Sequence, residues 1–160
     1  MTEQNALKVG DVAPDFTLKS HDLEDVTLSS FKGKNVVLLF FPFVNTGVCE
    51  KELCYARDNM GKYEELNAQV LAISVDSPFS QKLWVEKHKF SFPLLSDFNK
   101  KVSALYGSLF ESFVPEKFDF HGVSKRSAFV VDGEGKLKYC EVLENPGQEP
   151  NYEAIQQALS

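Results

Sequence analysis

Cys49 closes the run Phe41-Pro42-Phe43-Val44-Asn45-Thr46-Gly47-Val48-Cys49 and is followed by Glu50-Lys51-Glu52. Its position points to thiol chemistry. An apolar stretch ends at Phe41, a Pro/Gly loop turns the chain, and a helical pattern begins at the cysteine. A helix start offers unpaired backbone N–H groups and the positive end of the helix dipole, and both favour a thiolate, the nucleophilic form of the side chain. The bland alternative is a small buried apolar residue. Thr46 also has a second role open to it, as an N-cap whose hydroxyl accepts from the backbone N–H of residue 49. Taken alone, Arg126 is an ordinary surface cation, and Glu52 is a favourable acid in a first helical turn.

Cys54 and Cys140 bring the cysteine count to three. An odd count without a dense framework fits a reducing compartment better than a secreted disulfide scaffold. His21, His88 and His121 have no spacing that would join the cysteines in a metal site. Gly133-x-Gly135 is too short for a phosphate loop, so neither a metal nor a nucleotide cofactor is expected. With 17 Lys and Arg against 23 Asp and Glu, the net charge of -6 argues against nucleic acid and anionic membranes as partners. Residues 36–44, the longest apolar stretch, are broken by Pro42 and too short to span a bilayer. Residues 1–7 are polar and lack a signal-peptide core, which predicts a cytoplasmic protein.

The elements that must hold Cys49 follow from periodicity. A chain of 160 residues with 43% apolar and 25% charged side chains, and no repeat or linker, predicts one domain over 1–160. Residues 15–28 form two short strands around a polar turn at 20–25, and residues 36–41 form a fully buried strand. Leu53, Ala56, Met60, Tyr63 and Leu66 predict a helix over 49–67. A strand at 70–75, a helix opened by Ser77-Pro78 and reaching His88, a strand at 92–95 and a helical segment at 99–106 come next. A hairpin pairs 127–131 with 136–142 around Asp132-Gly133-Glu134-Gly135, and a helix spans 152–159. The result is an α/β protein with a central mixed β-sheet and helices on both faces.

Pro42-x-x-x-Thr46-x-x-Cys49, on a strand-to-helix turn and followed by Glu52, resembles the peroxidatic signature of the peroxiredoxins. The likeness spans nearly the whole chain. Val9-Gly10-Asp11-Val12-Ala13-Pro14-Asp15-Phe16 resembles the family's opening, and Leu71-Ala72-Ile73-Ser74-Val75-Asp76 its next strand. Phe92-Pro93-Leu94-Leu95-Ser96-Asp97 resembles the segment after it, and Arg126-Ser127-Ala128-Phe129-Val130-Val131-Asp132 the strand bearing the family's active-site arginine. The resemblance implies a thioredoxin-like fold with an N-terminal β-hairpin extension. It also implies a thiol peroxidase acting on hydrogen peroxide or organic hydroperoxides, in which Cys49 becomes a sulfenic acid. In that scheme Arg126 supplies guanidinium donors to sulfur and peroxide, and Thr46 hydrogen-bonds the peroxide. Pro42 shields the sulfur, and Glu52 orients the arginine.

Cys54 pulls the resemblance in two directions. Its spacing from Cys49 resembles that of the Q-type, or bacterioferritin-comigratory, peroxiredoxins, in which a second cysteine resolves the sulfenic acid as an intramolecular disulfide. On an intact helix the two Cα atoms would stand roughly 8.6 Å apart with side chains about 140° apart, beyond bridging distance, so the first turns must unwind. Leu38-Leu39-Phe40-Phe41-Pro42, Thr46-Gly47-Val48-Cys49 and Lys82-Leu83-Trp84 are instead similar to the E-type alkyl hydroperoxide reductases, which use an outside thiol. Thioredoxin, a glutaredoxin-like protein or a low-molecular-weight thiol is the implied reductant. Cys54 as buried filler stays open, and Cys140 is expected to be structural.

Two other functions compete. A thioredoxin-like disulfide oxidoreductase wants C-x-x-C, but Thr46 stands where the first thiol would be. A non-enzymatic redox-sensing or protein-binding module would oxidise at Cys49 without turnover. Phe43, Phe110, Phe113 and Phe118 flank loops that could form an apolar substrate rim or a subunit contact. By resemblance the chain forms a homodimer through the edge near the active loop, with a monomer as the alternative.

Overall fold

In the computed structural model, which describes residues 6–160, the elements run β1 (Thr17–Ser20), β2 (Asp25–Thr27), β3 (Asn35–Phe40), α1 (Gly47–Asp58), α2 (Met60–Glu65), β4 (Ala68–Ser74) and α3 (Pro78–His88). They continue with β5 (Leu94–Ser96), α4 (Lys101–Leu105), β6 (Leu109–Phe110), β7 (Val123–Ser124), β8 (Arg126–Val131), β9 (Leu137–Leu143) and α5 (Tyr152–Ala158). Most of the polar N-terminal stretch lies outside the described residues. Among the described residues no helix is long and apolar enough to cross a membrane.

The apolar run after Asn35 becomes an interior strand, β3, of a seven-stranded mixed sheet ordered β2-β1-β5-β4-β3-β8-β9. β3 lies parallel to β4 and β4 parallel to β5, while β8 runs antiparallel to β3. Such a strand meets apolar neighbours on both faces, and alternation assigns each side chain to one of them. Val37 and Leu39 point into one core with Cys49, Leu53, Ala56, Tyr63, Trp84 and Ile155, beneath α1, α2, α3 and α5. Val36, Leu38 and Phe40 point into the other, with Phe16, Val102 and Tyr106. That second face is covered by the short α4, a 3-10 turn at Leu28–Phe31 and the chain before β1, so the helical cover is unequal.

Several expectations shift. The expected N-terminal β-hairpin is present, and it extends the central sheet because β1 pairs antiparallel with β5. The single helix predicted over 49–67 begins at Gly47 and breaks at Asn59. There φ is -111° and ψ 15°, and the Asn59 amide donates to the Tyr55 carbonyl, a local side-chain bond that competes with helix propagation. The strand predicted at 92–95 sits two residues later at its start, and the helical segment at 99–106 tightens to α4. The two-stranded β6-β7 ribbon was not foreseen, since two-residue strands carry no usable period.

Candidate active site

Cys49 is the third residue of α1, so its N–H is among the first four that lack an intrahelical acceptor. Thr46 takes the N-cap position with extended backbone, but its side chain makes no capping bond. Its Oγ1 donates instead to the Phe43 carbonyl at 2.9 Å. The N-cap expectation is therefore corrected. The hydroxyl proton is engaged backward into the loop, which leaves the oxygen of this cavity-lining residue as an acceptor.

Sheet register brings the arginine to the thiol. β8 runs antiparallel to β3 with Ser127 opposite Phe40, so Arg126 emerges beside the end of β3, where the Cys49 loop begins. Arg126 is only 1% exposed, which rules out a surface cation. Its Nη1 and Nη2 each lie 3.3 Å from the Cys49 sulfur. Glu52, three residues after Cys49 and on the same helix face, accepts from Nη1 at 2.7 Å, and the Pro146 carbonyl accepts from Nη2 at 2.9 Å. The two anchors set the plane of the fork, and the fork faces the sulfur.

Electrostatics in this cluster is a contest between burial and pairing. Burial works against the Arg126 charge, but Glu52 and the Cys49 sulfur outweigh it and hold the guanidinium above its ordinary value. Glu52 is fully buried, and desolvation pushes its carboxyl up to about 7 despite the opposing pull of Arg126. Among the described residues only one of its oxygens is bonded, and Oε2 has no partner. Glu52 thus holds Arg126 at an energetic cost.

The thiol opens onto a cavity of about 300 Å³ lined by Pro42, Phe43, Thr46, Cys49, Phe113, Phe118, Phe120, Arg126 and Pro146. Phe43, Phe113 and Phe118 lie where the rim was expected. Phe110 stands behind Phe113, at 5.7 Å between rings, and Phe120 takes its place at the mouth. Pro42 is buried and lines the same cavity as Cys49. Sequence reasoning missed two further positions. Asp76, just beyond β4, accepts from the Val44 backbone N–H at 2.9 Å and from Ser74 Oγ at 2.7 Å, and so ties the loop to the sheet. The available signal was its place at the carboxyl end of a central strand, where ligands of open α/β sheets bind. The Pro146 carbonyl lay in a stretch with no pattern to mark it.

Cys54 is not brought to Cys49. The helix between them is intact, and the Cys54 sulfur faces His88 at the end of α3, 3.9 Å from Nδ1. All three cysteines are free thiols. Cys140, opposite Phe129 on β9, packs against the second core, where burial pushes its thiol up. Among the described residues no group of three or more His, Cys, Asp or Glu could hold a metal ion.

With this geometry in place, comparison with known proteins gives one answer. Residues 9–140 match the AhpC/TSA family. Alkyl hydroperoxide reductase E of Mycobacterium tuberculosis is 41% identical over 145 residues, covering 89% of this chain and 89% of that protein. Peroxiredoxin Bcp of Escherichia coli is 37% identical over 136 residues, covering 84% and 85%. The crystal structure of a peroxiredoxin-like protein from Aquifex aeolicus superposes with a TM-score of 0.86 at 29% identity, over 97% of this chain and 87% of that one.

Proposed function

Since the chain belongs to the AhpC/TSA family and is a thiol-dependent peroxidase of the peroxiredoxin type with a thioredoxin-like fold, we propose that Cys49 is its peroxidatic thiol and Arg126, Thr46 and Pro42 its catalytic surroundings. The observation that carries this reading is the pair of 3.3 Å contacts from Arg126 to the Cys49 sulfur, backed by Glu52 and Pro146. A fixed guanidinium beside the sulfur favours the thiolate without being able to take its proton.

The thiolate attacks the terminal oxygen of a hydroperoxide. A sulfur–oxygen bond forms as the O–O bond breaks, and the departing hydroxide or alkoxide takes up a proton and leaves as water or an alcohol, with Cys49 left as a sulfenic acid. Charge builds on the departing oxygen, where the Arg126 fork and the Cys49 N–H stabilise it. Thr46 Oγ1, its own proton bonded to Phe43, accepts the peroxide O–H and aligns the O–O bond. Pro42 and the phenylalanine wall keep bulk water from the sulfur.

The substrates are hydrogen peroxide and organic hydroperoxides, and the electrons come from a thioredoxin, a glutaredoxin-like protein or a low-molecular-weight thiol. Cys54 resolves the sulfenic acid as a disulfide once the start of α1 unwinds; direct attack by the external thiol is the competing route, favoured by the intact helix. The chain works as one cytoplasmic domain and pairs with a second copy through the edge near the active loop, where Phe118 and Phe120 are exposed.

The test is intact mass with peptide mapping after one equivalent of hydrogen peroxide is added to the reduced protein. Loss of two hydrogens mapped to Cys49 and Cys54 is expected if Cys54 resolves, and a persistent gain of one oxygen at Cys49 if an outside thiol does. Slow or absent reaction at Cys49 overturns the proposal.

A further inference from the structure

Three residues on one face of α1, at i, i+4 and i+7, all contact a single residue of α3. Glu50 Oε1 lies 2.9 Å from His88 Nε2, Cys54 Sγ lies 3.9 Å from His88 Nδ1, and Arg57 Nη1 donates to the His88 backbone carbonyl at 2.8 Å. The imidazole is wedged between Trp84, at 5.7 Å and perpendicular, and Phe90, at 5.4 Å and stacked, which holds its plane. Its side chain is 12% exposed. The Glu50 contact meets the ring at an angle oblique to an ideal N–H bond, yet it sets a carboxylate against Nε2. A negative charge there favours the tautomer with the proton on Nε2 and the lone pair on Nδ1, turned to the thiol.

Resting on the reading of Cys54 as the resolving cysteine, we propose that Glu50, His88 and Cys54 form a relay in which His88 takes the Cys54 thiol proton and Glu50 positions the imidazole. Cys54 needs such help. Burial and its acidic neighbours Glu50 and Asp58 push the thiol up, and Arg57 only partly opposes them. His88 is the group facing the sulfur from α3. The proton passes from Sγ to Nδ1, and the Cys54 thiolate attacks the sulfenic sulfur of Cys49. The S–S bond forms as the S–O bond breaks, and the leaving hydroxide is protonated to water with the proton that His88 returns.

The layout also suits the motion this step requires. Glu50 lies in the first turn with Cys49, whereas Arg57 lies beyond Cys54 and grips the end of α3. Cys54 gives its proton to His88 while Glu50 still holds the ring; unwinding of the first turns then carries Cys49 toward Cys54, whose half of the helix Arg57 keeps against His88.

The experiment compares the wild type with His88→Asn and Glu50→Gln. Rapid-quench mass spectrometry follows Cys49–Cys54 disulfide formation after one equivalent of peroxide, with appearance of the sulfenic acid as internal reference. In parallel, Cys54 alkylation by iodoacetamide is measured against pH in proteins carrying Cys49→Ser and Cys140→Ser. The relay predicts that His88→Asn slows disulfide formation by about 100-fold at neutral pH and that the rate recovers as pH rises. Glu50→Gln slows it several-fold, and the alkylation profile of Cys54 moves to higher pH in His88→Asn. Merely structural damage would leave the shape of that profile unchanged. Equal disulfide rates and superimposable alkylation profiles in wild type and His88→Asn overturn the relay. If the alkylation profile depends on His88 but the wild type forms no Cys49–Cys54 disulfide, it is the resolving role of Cys54 that fails, and the relay's part in recycling falls with it.

Discussion

Cys49 and Cys54 stand five residues apart on one helix, and their surroundings differ in almost every respect. Cys49 is buried at the bottom of an aromatic cavity with two guanidinium nitrogens 3.3 Å from its sulfur. Cys54 is half-buried on another face of the helix, its thiol pushed up by burial and acidic neighbours, with an imidazole in place of a fixed cation. In the proposed mechanism the first environment stabilises a departing oxygen anion. The second supplies a base that can carry a proton away when needed. Helical geometry makes this division possible, because about 140° of rotation over five residues sends the two side chains into different neighbourhoods.

The contrast is broken most directly at Cys49. Cys49→Ser is expected to abolish peroxide consumption while the circular dichroism spectrum stays native, and residual turnover at the wild-type rate would transfer the role to another thiol. Arg126→Ala removes what distinguishes the two sulfurs. It is expected to slow Cys49 oxidation in stopped flow by about 10²–10³, the scale on which loss of a preorganised donor is felt. Glu52 then loses its partner and takes up a proton at neutral pH, which Arg126→Lys would only partly prevent, since an ammonium cannot span Glu52, Pro146 and the sulfur together.

A smaller effect separates the charge pair from the thiol. Glu52 rests near 7 in the folded protein against an ordinary 4.5, so between these values the folded state holds a proton that the unfolded chain has released. Its contribution to stability is therefore fully present below 4.5 and is lost as pH rises through about 7. Glu52→Gln is expected to flatten that decline in thermal melts at pH 5 and pH 8, and a slope equal to that of the wild type would remove Glu52 as its source. The smallest change sharpens the comparison from the loop side. Asp76→Asn weakens the hold on the Val44 N–H and is expected to lower the peroxide rate a few-fold, roughly the effect of losing one neutral-strength hydrogen bond, with Cys54 alkylation unaltered.

Much of the cysteine region was legible because its information is local. The apolar run into Pro42, the turn and the helix that follows are periodic signals, and the structure places a strand, a loop and a helix there. The misplaced features share one cause. Asn59 breaks a helix that apolar spacing carries straight through, since a side-chain bond to Tyr55 does not show in a hydrophobic pattern. Thr46 turns its hydroxyl back to Phe43, because the loop carbonyl competes successfully with the helix N–H that capping statistics favour. Arg126 came into the site through family resemblance, since nothing around residue 126 marks a catalytic cation.

By itself the sequence determined a thiol at a helix start, a continuously apolar β3 that must be buried on both faces, and an acid three residues after Cys49 that shares its side of the helix. Each is a consequence of backbone periodicity, which acts over a few residues. Tertiary structure decided which cation meets the sulfur, which aromatic rings close the cavity and which base faces Cys54. Arg126 lies 77 residues from Cys49 and His88 lies 34 from Cys54. Such pairs exist only once strand order and register are set, and a spacing rule cannot reach across a sheet.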